Sequence, residues 1–253
     1  MKKLFIIPYR DRFSQRQVFI NHMSKILEDE DYEFIFVHQC DQRPFNRGAM
    51  KNIGFLYAKA TYPREYKDMT FIFHDIDHMP CIKGQFDYET TRGTANHYFG
   101  FKHVLGGMFA MKGSDFEKIF GFPNLWGWGF EDNAIQKKWL SVGGKIDRSQ
   151  WMVRHDKRVV ELSHGVMFST NKQINPHNVD YYYHDLAQHG FHTLKNLQYN
   201  VEDINDKSKM INVTAFSSET DAKDQIFQTG IPKKRYVPSK ITRMSDLVRM
   251  GRR

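Results

Sequence analysis

The stretch Phe71-Ile-Phe-His-Asp-Ile-Asp-His-Met-Pro80 constrains this chain more than any other. Phe71–Phe73 reads as the end of a buried strand, and two carboxylates, Asp75 and Asp77, follow with one residue between them. In a strand, positions i and i+2 point to the same side. Two acids on one side form a hard, oxygen-rich site of the kind that Mg²⁺ or Mn²⁺ and a diphosphate occupy. In open α/β sheets ligands collect at the C-terminal ends of strands, which is where this pair falls. Asp and Pro are also ordinary turn residues, so the plainer reading of these ten residues alone is a surface turn.

The flanking chain supplies the frame for that strand. Lys3–Ile7 predicts a short buried strand ended by Pro8, and Arg10 and Arg12 place two guanidinium groups just past it. Arginine binds phosphate through a forked pair of hydrogen bonds, although solvated surface arginines are commoner. Val18, Phe19, Met23, Ile26 and Leu27 recur at a helical period within residues 14–30. Tyr32–Val37 predicts a second strand. Phe45-Asn46-Arg47-Gly48 leads into a helix whose inner face reads as Met50, Ile53, Leu56 and Ala60. With Thr70–Phe73 as the third strand, the order is β-α-β-α-β, which argues for a parallel, Rossmann-like sheet.

Beyond residue 80 the pattern weakens until Leu105-Gly-Gly-Met-Phe-Ala-Met111, where Gly106 and Gly107 let the backbone approach a ligand or strand closely. A short helix is predicted over residues 114–120, and a second through Ile135, Trp139 and Leu140 to the stop at Gly143-Gly144. Between them runs Gly121-Phe-Pro-Asn-Leu-Trp-Gly-Trp-Gly-Phe-Glu-Asp132. Glu131 and Asp132 sit where a helix begins, and complementing its dipole is their plainer job. The alternating indoles and glycines instead make a bendable loop with flat apolar faces for sugar rings. A carboxylate beside such a platform is placed to take a proton from a sugar hydroxyl. His155 and Met152 are candidate metal ligands, but one histidine among 12 says little alone. Strands are predicted around residues 197–201 and 209–216.

At 253 residues the chain is one large domain, here residues 1–216, with a polar, basic C-terminal extension, residues 217–253. Two cysteines, Cys40 and Cys81, make neither a disulfide framework nor a zinc cluster. No apolar run reaches the ~18 residues of a membrane span, and the apolar start is too brief for a signal peptide. Formal charge is +8, which fits nucleic acid, anionic lipid or phosphorylated substrates without choosing among them. Ile241, Met244, Leu247 and Val248 recur helically among arginines, a pattern for weak contact with an anionic membrane surface or for packing on the domain.

Taken together these tracts resemble the β-1,4-galactosyltransferase family. Pro8-Tyr-Arg-Asp-Arg12 looks like its Pro-Phe-Arg-x-Arg motif, Phe45-Asn-Arg47 matches Phe-Asn-Arg, and Asp75-Ile-Asp77 looks like Asp-Val-Asp. Gly121-Phe-Pro-Asn124 with Trp126-Gly-Trp-Gly-Phe-Glu-Asp132 resembles Gly-Phe-x-Asn followed by Trp-Gly-Trp-Gly-x-Glu-Asp, and Met152-Val-Arg-His155 resembles Met-Ile-Arg-His. The resemblance runs to about Phe216 and implies a GT-A fold: a mixed, mainly parallel sheet flanked by helices. It implies transfer with inversion from a UDP-sugar donor to a glycan or glycoconjugate acceptor. Mn²⁺, with Mg²⁺ as a substitute, is then held by Asp77, Met152 and His155. Asp75 lies near the ribose and diphosphate. Pro8, Arg10, Arg12, Phe45 and Arg47 hold the nucleotide, and Gly107 approaches it. Asp132 is the base, Glu131 stands beside it, and Trp128 on a mobile loop contacts sugar.

Asn133 stands where the family usually has a further acid, and Val104-Leu-Gly-Gly107 stands where it has Tyr-Phe-Gly-Gly. The donor sugar, galactose or an N-acetylated hexosamine, therefore stays open. Without an anchor or disulfides the chain reads as a soluble, cytoplasmic relative of bacterial or viral type. Two competitors remain. A nucleotidyltransferase wants a Gly-rich phosphate loop and a lysine near the N-terminus, which Pro8–Arg12 is not. A nucleic-acid binder, suggested by the charge, requires steeply salt-dependent oligonucleotide binding; the motifs favour no nucleic-acid partner.

Overall fold

The computed structural model of the chain describes residues 2–162, 174–184 and 189–221. The basic tract at 241–248 and most of the C-terminal extension lie outside the described residues. The first half alternates β1 (Lys3–Tyr9), α1 (Phe13–Ile26), β2 (Tyr32–Gln39), α2 (Arg47–Thr61) and β3 (Thr70–His74). Strand β1 lies between β2 and β3, parallel to both. After these come β4 (His78–Pro80), β5 (Thr94–Phe99), β6 (Met108–Lys112), α3 (Gly113–Lys118), α4 (Glu131–Ser141), β7 (Lys145–Asp147) and β8 (Val159–Glu161). The remainder is α5 (Pro176–His184), β9 (Lys195–Asn205) and β10 (Ser208–Ser217). The main sheet has the order β7-β5-β6-β3-β1-β2-β10-β9, and β4 pairs with β8 in a small second sheet. Antiparallel pairing joins β6 to β3, β5 to β6 and β9 to β10, so the sheet is mixed with a parallel centre.

The central strands are apolar throughout because both faces of the sheet are covered. Leu4, Ile6, Phe71 and Phe73 point to the side carrying α2, where they meet Phe55, Phe109, Phe116 and Trp126. Phe5, Ile7, Phe34, Phe36 and Ile72 point to the side carrying α1, against Phe19, Met23 and Tyr88. Among the described residues no helix is long and apolar enough to cross a membrane.

Two local expectations change. Strand β1 does not end at Pro8 but runs to Tyr9 beside β2, because pairing with β3 has already stopped at Ile6↔Phe73. One flank of the strand then has no ladder bond for proline to remove. In α2 the buried residues are Gly48 through Phe55 and Ala58, whereas Leu56 is half-buried and Ala60 exposed. The helix has cover on two sides, the sheet below and the Gly121–Asn124 tract above. Gly48 makes the second contact: a Cβ there would stand 2.2 Å from the Pro123 carbonyl oxygen.

Asn52 fastens that tract to α2. Its Nδ2 donates to the Phe122 carbonyl (2.8 Å) and to Asn124 Oδ1 (2.9 Å), and its Oδ1 accepts from the Phe122 N–H (2.9 Å), all buried. Asn124 in turn donates to the Gly190 carbonyl at 2.8 Å, and its own carbonyl accepts from Thr220 Oγ1 at 2.7 Å. Asn52→Ala strands several of these groups, each costing about 1–3 kcal/mol when left unpaired. The variant should lose about 3 kcal/mol or more, read as a lower urea midpoint at unchanged m-value.

Candidate active site

The C-terminal ends of β1 and β3 and the entry to α2 enclose a cleft of about 260 Å³, lined by Pro8, Arg10, Arg12, Phe45, Arg47, Asp75, Ile76 and Asp77. All but Ile76 were singled out in the sequence. The Arg10 guanidinium lies 4.9 Å from the Phe45 ring centre and donates from Nη1 to the Arg43 carbonyl at 2.7 Å. Asn46 caps α2: its Oδ1 accepts from the Ala49 N–H at 2.9 Å, while its own N–H donates to Gln39 Oε1 at 2.8 Å. That cap sets Arg47 at the mouth of the cleft. Arginines and carboxylates lining one cleft suit a metal-bound diphosphate.

Asp75 and Asp77 do not meet by strand alternation. Strand β3 ends at His74, and the pair occupies the turn into β4. That turn brings ligand atoms of Asp75, Asp77 and His78 within 4.8 Å of one another. His78 Nδ1 stands 2.7 Å from Asp77 Oδ1. Burial opposes the charge on His78, but Asp77, Asp75 and Glu161 outweigh it and raise its pKa. Burial likewise opposes the charge on Asp75, yet Arg47 and Lys51 hold its carboxyl well below the usual carboxylate range. The Asp75 N–H donates to the Gly107 carbonyl at 2.9 Å. Gly107 has φ +71, and a Cβ on it would stand 2.5 Å from the Phe99 carbonyl oxygen. Gly107 therefore holds the turn in place without itself lining the cleft.

The donor set fits a divalent cation. Two carboxylates and an imidazole converge, with ligand atoms within 4.8 Å of one another. Hard oxygen with one nitrogen is chemistry that Mn²⁺ accepts. Met152 is buried nearby, its N–H bonded to the Tyr98 carbonyl and its neighbour Phe99 packed 4.6 Å from the His78 ring. His155 is exposed and stands outside the trio. Its Nδ1 is 3.3 Å from Glu161 Oε2, and Glu161 pairs with His78 across β4 and β8. His155 thus hangs from the strand beside His78.

Helix α4 supplies the second pair of acids. It starts from Phe130 in the left-handed region (φ +70), with Glu131 and Asp132 in its first turn. Neither is merely a cap. Arg47 Nε lies 3.5 Å from Glu131 Oε1, and Lys51 Nζ lies 3.6 Å from Asp132 Oδ1 and 4.0 Å from Asp75 Oδ1. Behind Asp132 is Gly106, where a Cβ would stand 2.2 Å from Oδ2. Burial pushes the Asp132 carboxyl up to about 7; Glu131 and Asp75 add to the rise, and Lys51 and Arg47 oppose it. A carboxylate so tuned is suited to accept a proton near neutrality.

Sequence reasoning missed Lys51 and His78 as site residues and valued Gly106 only for backbone freedom. Lys51 carried one usable signal, its i+4 spacing from Arg47 on the same helix. The tryptophan tract also needs correcting. Trp126 is buried, stacked 5.1 Å from Phe216 with Nε1 donating to Asp221 Oδ1 at 3.0 Å, so it offers no face to a ligand. Trp128 alone presents its indole, 43% exposed, between Gly127 (φ +76) and Gly129 (φ +114).

Residues 1–86 match the family described as the N-terminal region of glycosyl transferase group 7, and residues 87–164 match the N-terminal domain of galactosyltransferase. The chain belongs to the β-1,4-galactosyltransferase family. Among curated family members, β-1,4-galactosyltransferase 5 of Sus scrofa is 29% identical over 163 residues, which are 59% of this chain and 40% of that protein. β-1,4-Galactosyltransferase 1 of Mus musculus is 28% identical over 220 residues, 80% of this chain and 51% of that protein. The chain thus spans about two fifths to one half of the length of these β-1,4-galactosyltransferases. Its fold is that of the catalytic domain of Drosophila β-1,4-galactosyltransferase 7, solved with xylobiose. That structure superposes with a TM-score of 0.67 at 19% identity, over 87% of this chain and 96% of the other. A mutant of the Drosophila protein, solved with manganese, UDP-Gal and xylobiose, superposes at 0.64. The architecture is therefore GT-A.

Arg47 is the cation that Asp75 and Glu131 share. Removing one partner of a buried pair leaves the other charge uncompensated, at about 3–5 kcal/mol. Because Arg47 is partly open to solvent, Arg47→Met should cost about 3 kcal/mol, read as a lower midpoint in chemical denaturation.

Proposed function

We propose that this chain is a metal-dependent, inverting glycosyltransferase. It moves a sugar, galactose or an N-acetylated hexosamine, from a UDP-sugar to a hydroxyl of a glycan or glycoconjugate. One observation carries the reading: Asp132, its carboxyl pushed up to about 7, is tied through Lys51 to the Asp75–Asp77 turn. A proton acceptor and a cation- and phosphate-compatible site thus share one buried cluster. Membership of a family whose relatives are named galactosyltransferases supports it. So does the relative solved with manganese and UDP-Gal.

In this reading Arg10, Arg12 and Arg47 bind the diphosphate, Phe45 packs against the nucleotide, and Asp75 faces the ribose. Asp77 and His78 would hold a divalent cation, with Met152 and His155 as the further ligands that the family resemblance implies, and the cation would supply positive charge for the departing diphosphate. The acceptor enters from the side of α4, where a groove of about 470 Å³ is lined in part by His103, Asn133, Gln136, Lys137 and Tyr182. Asp132 takes the hydroxyl proton as the acceptor oxygen bonds to the anomeric carbon and the carbon–diphosphate bond breaks on the opposite face. Trp128 closes over the sugar and excludes water.

The test is a panel of UDP-sugars incubated with Mn²⁺, with Mg²⁺ and with EDTA, following UDP release and calorimetric binding. Preference for one donor that is lost with EDTA is expected; no binding of any UDP-sugar with Mn²⁺ present defeats the reading. Asp132→Asn should cut transfer by about 10²–10⁴-fold, the usual contribution of a general base, while donor binding stays within a few fold. The pH profile gives a further check. The base works ionised, so kcat/KM should fall about tenfold per pH unit below about 7 and level off above it. A flat profile between pH 5.5 and 8 would remove Asp132 from the role.

A further inference from the structure

Lys51 belongs to none of the motifs that identify the family, yet it is the most enclosed charge in the site. Its side chain is 1% exposed, and the ammonium lies 4.7 Å from the centre of the Phe122 ring. It faces two carboxylate oxygens that have no hydrogen-bond partner: Oδ1 of Asp132 at 3.6 Å and Oδ1 of Asp75 at 4.0 Å, both buried. The other oxygen of each acid is committed differently. Asp75 Oδ2 is bound by Arg47 at 2.5 Å, whereas Asp132 Oδ2 stands over the bare Cα of Gly106. At these distances the ammonium makes no hydrogen bond to either oxygen; it stands between the two carboxylates as a shared positive charge.

We propose that Lys51 is a positioning residue for the transfer step: from inside the domain its ammonium holds Oδ1 of Asp132 and Oδ1 of Asp75, and so turns Oδ2 of Asp132 to the acceptor hydroxyl. The inference rests on the transfer reaction proposed above. Lys51 gives up no proton. The acceptor proton goes to Asp132 Oδ2, the acceptor oxygen forms the new glycosidic bond, and the electron pair of the broken bond leaves with the diphosphate. The arrangement also makes one cation common to the donor side, through Asp75, and the base, through Asp132. Misplacing a catalytic group by about 1 Å costs on the order of 10²-fold in rate. Lys51 controls that placement without touching substrate.

The charged groups around Asp132 are Lys51 and Arg47 from α2, Glu131 beside it on α4, and Asp75 from the β3–β4 turn. Removing the Lys51 charge leaves Asp132 among two acids and one arginine. Lys51→Met keeps the length and apolar stem of the side chain. In that variant, UDP affinity with Mn²⁺ should stay within about threefold of wild type by calorimetry. Mn²⁺-dependent UDP release from UDP-galactose should fall tenfold or more, and the acid limb of the rate profile should move up by at least one pH unit. Lys51→Arg, which keeps the charge, should restore the limb toward its wild-type position. A purely structural lysine would lower stability without moving that limb. An unchanged rate and limb in Lys51→Met overturns the proposal, as does a loss confined to UDP affinity.

A second measurement depends neither on the folding of Lys51→Met nor on turnover. The ¹⁵N resonance of the Lys51 ammonium, assigned through Lys51→Arg, should shift as pH falls through about 7 and should cease to do so in Asp132→Asn. A resonance indifferent to Asp132 overturns the proposal. If the wild-type chain binds no UDP with Mn²⁺, the functional reading fails on its own, and the resonance still decides whether Lys51 and Asp132 are coupled.

Discussion

Two cations on one face of α2, Arg47 and Lys51, hold the site together. They pair with three acids from distant stretches of chain: Asp75 after β3, and Glu131 and Asp132 at the start of α4. Charges this enclosed are costly unless each finds a partner. Where α2 sits therefore decides where the carboxylates can ionise. The helix is fixed at its N-terminus by Asn46 and over its outer face by Asn52. It is fixed against the sheet by Gly54, where a Cβ would stand 2.5 Å from Ile6 Cγ2. The fold spends small and amide residues on α2 so that two cations arrive at defined points.

Gly106 and Gly107 show how neighbouring residues of one type serve different ends. Gly107 needs its positive φ and its close approach to Phe99 so that its carbonyl can receive the Asp75 N–H. Gly106 has no unusual backbone angle and is small because Asp132 Oδ2 occupies the space of a side chain. His97 connects this pair to the sheet. Its Nε2 lies 3.0 Å from the carbonyls of both Phe99 and Gly106, and its Nδ1 is 3.2 Å from Arg148 Nε. Burial lowers its pKa to about 4, so the ring is neutral at physiological pH, donating from Nε2 and accepting at Nδ1. The floor beneath the base is therefore a hydrogen-bonded platform whose charge state is constant above pH 5.

The tryptophan tract divides in the same way. Trp126 is part of the core, stacked on Phe216, with the Arg43 guanidinium 4.2 Å from its ring and 4.6 Å from that of Phe216. Its indole N–H reaches Asp221, so residues past β10 return to brace the loop. Trp128, two residues on, is held through its backbone by Asn175 and leaves its ring exposed.

The amino-acid sequence by itself determined the alternation of strands and helices in the first half. It also marked the residues that line the cleft, because the apolar runs of β1, β2 and β3 are short and continuous and the polar residues that follow them have one place to go. The ordered motifs were enough to place Arg10, Arg47, Asp75 and Asp132 in one family pattern. Tertiary structure decided the rest. Periodicity assigns Lys51 and Asn52 to solvent, since a helix read alone has one apolar face; packing on two sides buries them, and only acids from elsewhere in the chain make a buried lysine tolerable. His78 joined the Asp pair because the strand stops one residue before Asp75 and a turn, which has no fixed period, gathers all three. Trp126 and Trp128 are indistinguishable in a Trp-Gly-Trp-Gly repeat, and only the position of Phe216, ninety residues away, separates the structural indole from the exposed one.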